Sequence, residues 1–226
     1  MSQIAKNLRK INRQILESAK GSPPTLVAVT KTRSAEEINE AINLGIKSIG
    51  ENRVQEAEKK FQKIPRKVEK RLVGTLQSNK IKKAISLFDS IDSVGSYVLA
   101  QKISKLCQER DKTQRILIQV NTSEEKIKNG FLLSEKEEVL KCFSLSHIQI
   151  DGLMTIGPLT ENQNRRKKAF QKLKSFFSAV NEAVAPEKQV KELSMGMSDD
   201  FLLAIKEGST MIRVGTNIFG PRKTNA

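Results

Sequence analysis

Lys31 directly follows the apolar run LVAVT. An ammonium group carried out of such a run onto a partly dry surface loses hydration, so the neutral, nucleophilic amine becomes easier to reach. Amines of that kind capture aldehydes. Far along the chain, LSMGMSDD and IRVGTNIFG bring small residues and backbone amides close together after two consecutive apolar runs. These two segments suit close approach to a phosphate, and Arg213 adds a cation in the second of them. Singly, each feature has a plainer reading. A lysine after a strand is commonly a surface charge, glycines mark tight turns, and an arginine often serves an ion pair.

Their meaning depends on the elements that position them. Short β-branched or apolar runs cover 25–30, 47–50, 71–74, 90–94, 115–121, 148–154, 190–195 and 211–215, with helical segments between. That alternation is the signature of βαβ units, and eight pairs close a (β/α)8 barrel, with a doubly wound open sheet as the alternative. Ser34 with Glu37 forms a capping box, and Ser134 with Glu137 repeats the pattern. Ser198 is placed to cap a helix over Phe201, Ala204 and Ile205. Ile4, Leu8, Ile11 and Ile15 recur at helical spacing, which predicts an additional amphipathic helix before the first strand. Phe170, Phe176 and Phe177 share one side of a long helix and are read as core.

In a barrel of this kind the loops after the strands share one rim. The polar residues placed there are Lys31, Glu51, Asn52, Gln77, Ser78, Asp92, Asn121, Thr155, Ser194, Arg213, Gly215 and Thr216. An amine, an anion cradle and an arginine together suit pyridoxal phosphate, although spacing alone does not name it.

The 226 residues, 38% hydrophobic and 29% charged, fit one large globular domain over the full 1–226 span. No run approaches the ~20 apolar residues of a spanning helix, so no membrane partner is expected. Lys6, Arg9, Lys10 and Arg13 interrupt the N-terminus, which makes it a poor secretory signal. Cys107 and Cys142 are far apart and form no metal or disulfide motif, and a cytoplasmic location is expected. The formal charge of +15 could attract nucleic acid, anionic membrane or phosphorylated small molecules. The cations at Arg165, Arg166, Lys167, Lys168, Lys172 and Lys174 have no interleaved aromatics for base stacking, so they read as solvated helix faces and no specific nucleic acid is expected.

The segments LVAVTKTRSAEEINEAINLGIKSIGENRVQEAEKK, GTLQSNK, GLMTIGP and LSMGMSDDFLLAIKEGSTMIRVGTNIFG, in order over nearly the whole chain, resemble the pyridoxal-phosphate homeostasis protein family, relatives of the alanine racemase N-terminal barrel. The resemblance implies a fold-type III-like barrel holding pyridoxal 5'-phosphate as a Schiff base on Lys31. It also implies a phosphate at Ser194, Gly215 and Thr216, Arg213 facing the pyridine nitrogen, and Asn52 near the ring, where capping the following helix is the competing role. Two departures stand out: Lys70, Arg71 and Leu72 replace an aromatic-rich stretch usual in the family, and Arg53 stands where tyrosine is common.

An arginine at the ring nitrogen has no proton to share readily, which weakens carbanion chemistry. Racemisation needs acid and base on opposite faces of the carbanion. Tyr97, read as lying in a helix interior, and His147, at the start of a strand, are the only tyrosine and histidine and supply no second base. The implied function is therefore a cofactor carrier or regulator, with PLP-dependent apoenzymes as partners and a monomeric state. A weak racemase or related enzyme is the alternative within the same cofactor class, and a nucleic-acid-binding protein is the alternative outside it.

Overall fold

Alternate residues of each apolar run have two different spaces to fill, and this is what makes the runs strands of a closed sheet. In β1 (Thr25–Val29), Ala28 joins the core under the helices while Val27 joins a small cluster with Leu117, Met154 and Met211. The computed structural model describes residues 1–123 and 129–221. β1 is followed by β2 (Ser48–Glu51), β3 (Glu69–Leu72), β4 (Ser90–Val94), β5 (Gln114–Asn121), the two-residue β6 (Phe131–Leu132), β7 (Ile148–Met154), β8 (Glu192–Ser194) and β9 (Met211–Val214). All pairings are parallel. β4 meets β5 and β9 meets β1, so all of these except β6 close into an eight-stranded barrel. β6, which the periodicity does not reveal, extends only the end of β5 through Val120 and Phe131.

The helices are α1 (Gln3–Ser18), α2 (Ala35–Asn43), α3 (Val54–Phe61), α4 (Ile81–Leu87), α5 (Tyr97–Gln108), α6 (Lys136–Cys142), α7 (Gln163–Ala183), α8 (Phe201–Lys206) and α9 (Thr216–Phe219). With only four residues, α9 is too short to cover its part of the barrel wall. α1 does so instead, burying Ile4, Leu8, Ile11 and Ile15 and packing on α2, α8 and α9. The expected capping box at Ser34 and Glu37 is present. The one expected at Ser134 is not: Glu135 is the N-cap of α6, and its carboxylate accepts from the Leu132 amide. Tyr97 is the first residue of α5 rather than an interior one. No helix among the described residues is long and apolar enough to cross a membrane.

The N-terminal end of the barrel is plugged by charge. Arg71 donates through Nε and Nη2 to Glu69 at 2.9 and 3.0 Å, and through Nη1 to both oxygens of Asp92 at 3.1 Å. Arg115 bridges Glu69 at 2.8 Å and Asp151 at 2.6 Å. β3 therefore begins two residues before the expected run, because Glu69 and Arg71 are satisfied by one another inside the barrel. The register slips beside Asp151, where β7 presses on β8: a Cβ on Gly152 would lie 1.9 Å from the Glu192 carbonyl oxygen. Only glycine fits that approach.

Candidate functional site

β1 and β9 are neighbours, with Ala28 opposite Val214, so Lys31 and the Gly215-Thr216 turn leave the barrel side by side at its C-terminal end. A Cβ on Gly215 would stand 3.2 Å from the Val29 carbonyl oxygen, so glycine lets the end of β9 lie against the end of β1. The Gly215 amide donates to Ser198 Oγ at 3.3 Å, and Asn217 Nδ2 donates to the Ser198 carbonyl at 2.8 Å. Thr216 is exposed beside them.

Ser198, in the loop after β8, thus joins the turn after β9 and does not cap the next helix. Asp200 is the N-cap of α8, and its Oδ1 accepts from the Met197 amide at 2.6 Å. The turn that brings Ser198 back over β9 pivots on Gly196, whose φ of 96° favours glycine. The small-residue run SMGMS carries that signal in the sequence, but only the returning strand shows which serine meets Gly215.

Arg213 pairs in register with Val27 and lies inside the barrel, 4% exposed. Its Nη1 donates to Ser194 Oγ at 2.6 Å and its Nη2 to the Thr155 carbonyl at 2.7 Å. Burial lowers its pKa to about 10, against the opposing pull of Asp92 and Asp200, so the guanidinium stays charged at neutral pH. Ser194 is fully buried and serves Arg213 as acceptor. Burial also pushes the Asp92 carboxyl up, opposed by Arg71, Ser90 and Arg213. Asp92 therefore belongs to the interior network, below the rim on which it was expected.

Lys31 is half-buried in the turn between β1 and α2. Asn52 is half-buried just past β2. The N-cap of α3 is Arg53, with no side-chain cap bond, so Asn52 does not take the competing capping role. A Cβ on Gly74 would sit 2.3 Å from the Asn52 carbonyl oxygen, which is how the segment after β3 closes against it. Glu51, also expected on the rim, turns to the helix layer, where Thr30 Oγ1 donates to it at 2.7 Å and Lys60 at 2.9 Å. Gln77 and Ser78 lie at the start of a short 3-10 turn. Asn121 holds Ser123 through its side-chain oxygen. Thr155 contributes its carbonyl to Arg213.

The rim thus joins an amine, a turn with a hydroxyl and backbone amides, and a charged guanidinium set within the barrel. His147 precedes β7 and so lies at the opposite end. A cleft of about 460 Å³, lined among others by Lys10, Gln14, Ser198, Thr216 and Asn217, opens beside the turn after β9. A larger one of about 980 Å³ lies at the opposite end, around Arg115, Gln149, Asp151 and Glu192, and contains none of the rim residues.

Residues 1–223 match the family described as alanine racemase, N-terminal domain. The chain is 36% identical over 228 residues to the pyridoxal phosphate homeostasis protein of Pasteurella multocida, covering 97% of each chain. It is 38% identical over 229 residues to the protein of that name from Schizosaccharomyces pombe, covering 99% of this chain and 95% of the other. Among solved structures, PipY of Synechococcus elongatus with PLP bound is similar at a TM-score of 0.85 and 36% identity, over 96% of this chain and 100% of that one. Alanine racemase of Clostridium difficile shares the fold at a TM-score of 0.77 and 15% identity, over 97% of this chain and 58% of that one.

Proposed function

Because the chain belongs to the alanine racemase N-terminal domain family, and matches pyridoxal phosphate homeostasis proteins over nearly its whole length, we propose that it binds pyridoxal 5'-phosphate and serves the homeostasis of that cofactor. One observation carries the reading to particular residues: Lys31 and the Ser198-Gly215-Thr216 corner leave adjacent strands on the same rim.

The donor set fits the group. Lys31 would be the covalent anchor for the aldehyde carbon. Gly215, which has no Cβ, Thr216 and Ser198 would hold the phosphate with backbone amides and hydroxyls. Arg213, oriented by Ser194 and the Thr155 carbonyl, would serve the ring nitrogen, and Asn52 the ring. Ser194, also expected at the phosphate, accepts from Arg213 and would hold that guanidinium in place. When bound, the cofactor supplies an electrophilic carbon and an electron-withdrawing ring.

The protein's own residues restrict the chemistry open to that ring. Arg213 stays protonated and presents only donors, so it does not supply the ring with a proton. Tyr97 begins an outer helix and His147 lies at the far end, so neither pairs with Lys31 as a second base. A carrier or regulator fits this inventory better than a racemase. It would act as one barrel unit, monomeric and cytoplasmic, passing cofactor to PLP-dependent apoenzymes.

The test is the visible spectrum with added cofactor, followed by borohydride reduction and peptide mapping, alongside Lys31→Ala. The expected result is a label on Lys31 and no covalent species in the variant. A label on another lysine overturns the anchor. Amino-acid turnover at about 1 per second or more overturns the carrier role in favour of an enzyme.

A further inference from the structure

The Lys31 turn is held from behind by a neighbouring unit of the barrel. Thr32 has φ of 63°, a left-handed conformation that is costly for a β-branched residue and persists only where its surroundings impose it. The Thr32 amide donates to Glu56 Oε1 at 2.5 Å. Lys60, one turn further along α3, donates to that same oxygen at 2.6 Å, to the Thr30 carbonyl at 2.8 Å and to Glu51 Oε1 at 2.9 Å. An ammonium group has three hydrogens, and here each has an acceptor. The Lys60 side chain is 14% exposed and Glu51 is fully buried, so water competes little for these bonds.

The consequence lies in the peptide groups. The carbonyl of Thr30 and the amide of Thr32 flank Lys31, and both are fixed by α3, a helix belonging to the next βα unit. Arg33 fastens the other side of the turn: it donates to the carbonyls of Phe219, Gly220 and Pro221, and its guanidinium lies 5.6 Å from the Phe219 ring centroid. That segment directly follows the Ser198-Gly215-Thr216 corner.

We infer that Glu56 and Lys60 are positioning residues for Lys31, pinning the peptide groups on either side of it so that its amine is presented at a set distance from the phosphate corner. This rests on Lys31 being the covalent anchor. Small displacements of a reacting group can cost large factors in rate, so loosening the turn should slow bond formation to the aldehyde while leaving recognition of the phosphate and ring largely intact.

The experiment compares wild type, Glu56→Ala, Glu56→Gln and Lys60→Gln in the full chain. Capture of pyridoxal 5'-phosphate is followed by visible absorbance and borohydride-trapped mass. Non-covalent binding is measured with pyridoxine 5'-phosphate, which carries an alcohol in place of the aldehyde. Glu56→Ala and Lys60→Gln should slow capture on the order of tenfold or more, with affinity for the alcohol changed by less than about twofold. Glu56→Gln, whose amide oxygen can still accept from Thr32, should recover much of the rate.

Capture at the wild-type rate in Glu56→Ala overturns the inference. So does an equal loss for aldehyde and alcohol, which is what a general loss of structure would give. Should Glu56→Ala fail to fold, Lys60→Gln is read by the same two criteria. A wild-type label mapping away from Lys31 overturns the anchor itself, whereas a label on Lys31 with undiminished rates in the variants overturns only the positioning role.

Discussion

At the scale of single residues, the interior of the barrel depends on buried cations, Arg71 and Arg213, and the groups that accept from them. Arg213 is 4% exposed, yet remains charged because Asp92 and Asp200 offset part of what burial costs it. Its removal would leave the Thr155 carbonyl and the Ser194 hydroxyl without their donor and Asp92 with less compensation. Arg213→Met should therefore destabilise the fold by roughly 1–3 kcal/mol, the cost of leaving buried hydrogen-bonding groups unsatisfied. Urea unfolding measures this, and a loss below about 1 kcal/mol would show that the network relaxes without it. The unusual Lys70-Arg71-Leu72 stretch becomes intelligible at the same scale. Arg71 binds Glu69 and Asp92 inside the barrel, Lys70 lies 5.5 Å from the Phe61 ring centroid, and Leu72 is core.

At the scale of elements, the short α9 explains why the chain begins with a helix outside the eight-unit repeat. α1 is capped by Ser2, whose hydroxyl accepts from the Ala5 amide, and Asn7 donates to the Ile218 carbonyl at 2.9 Å. Leu8 lies in the middle of its buried face at 3% exposure. Leu8→Ala should lower stability by about 2–5 kcal/mol, the usual range for emptying a buried aliphatic site. Thermal unfolding would register it, and an unchanged midpoint would mean that α1 does not brace the β9-β1 side of the wall. Helix starts were legible at Ser34, whose local capping box with Glu37 is present, though the same pattern at Ser134 forms none. They were not legible at Ser198, because its hydroxyl accepts from an amide 17 residues away on another element.

At the scale of the whole molecule, closure is the feature that matters for binding. A ligand bonded to Lys31 after β1 and gripped after β9, as proposed, would bridge the first and last strands of the barrel, and could do so only while those strands are paired. Cofactor binding should therefore stabilise the native state. At a free concentration about a hundredfold above Kd the gain is roughly 2.7 kcal/mol, which for a domain of this size corresponds to a rise in Tm of roughly 5–10 °C. Calorimetry with and without cofactor tests this, and no rise under those conditions would argue against a site spanning the two strands. The +15 charge makes a separate contribution: cations such as Lys167 and Lys168 lie on exposed parts of α7, where they enrich anions near the surface without selecting among them.

The amino-acid sequence by itself determined the eight barrel strands and the helices between them, the capped start of α2 and the apolar stripe of α1. These derive from spacing along the chain, because periodicity and turn chemistry are local properties, whereas Lys31, Arg213, Gly215 and Thr216 are grouped by the family resemblance. Tertiary structure alone decided that Glu51 turns outward to Lys60, that Ser194 serves Arg213, that Ser198 meets Gly215, and that Asp92 joins Arg71 below the rim. The partner of a buried polar atom is whichever group closure of the barrel brings within about 3 Å, and local spacing carries no record of that choice.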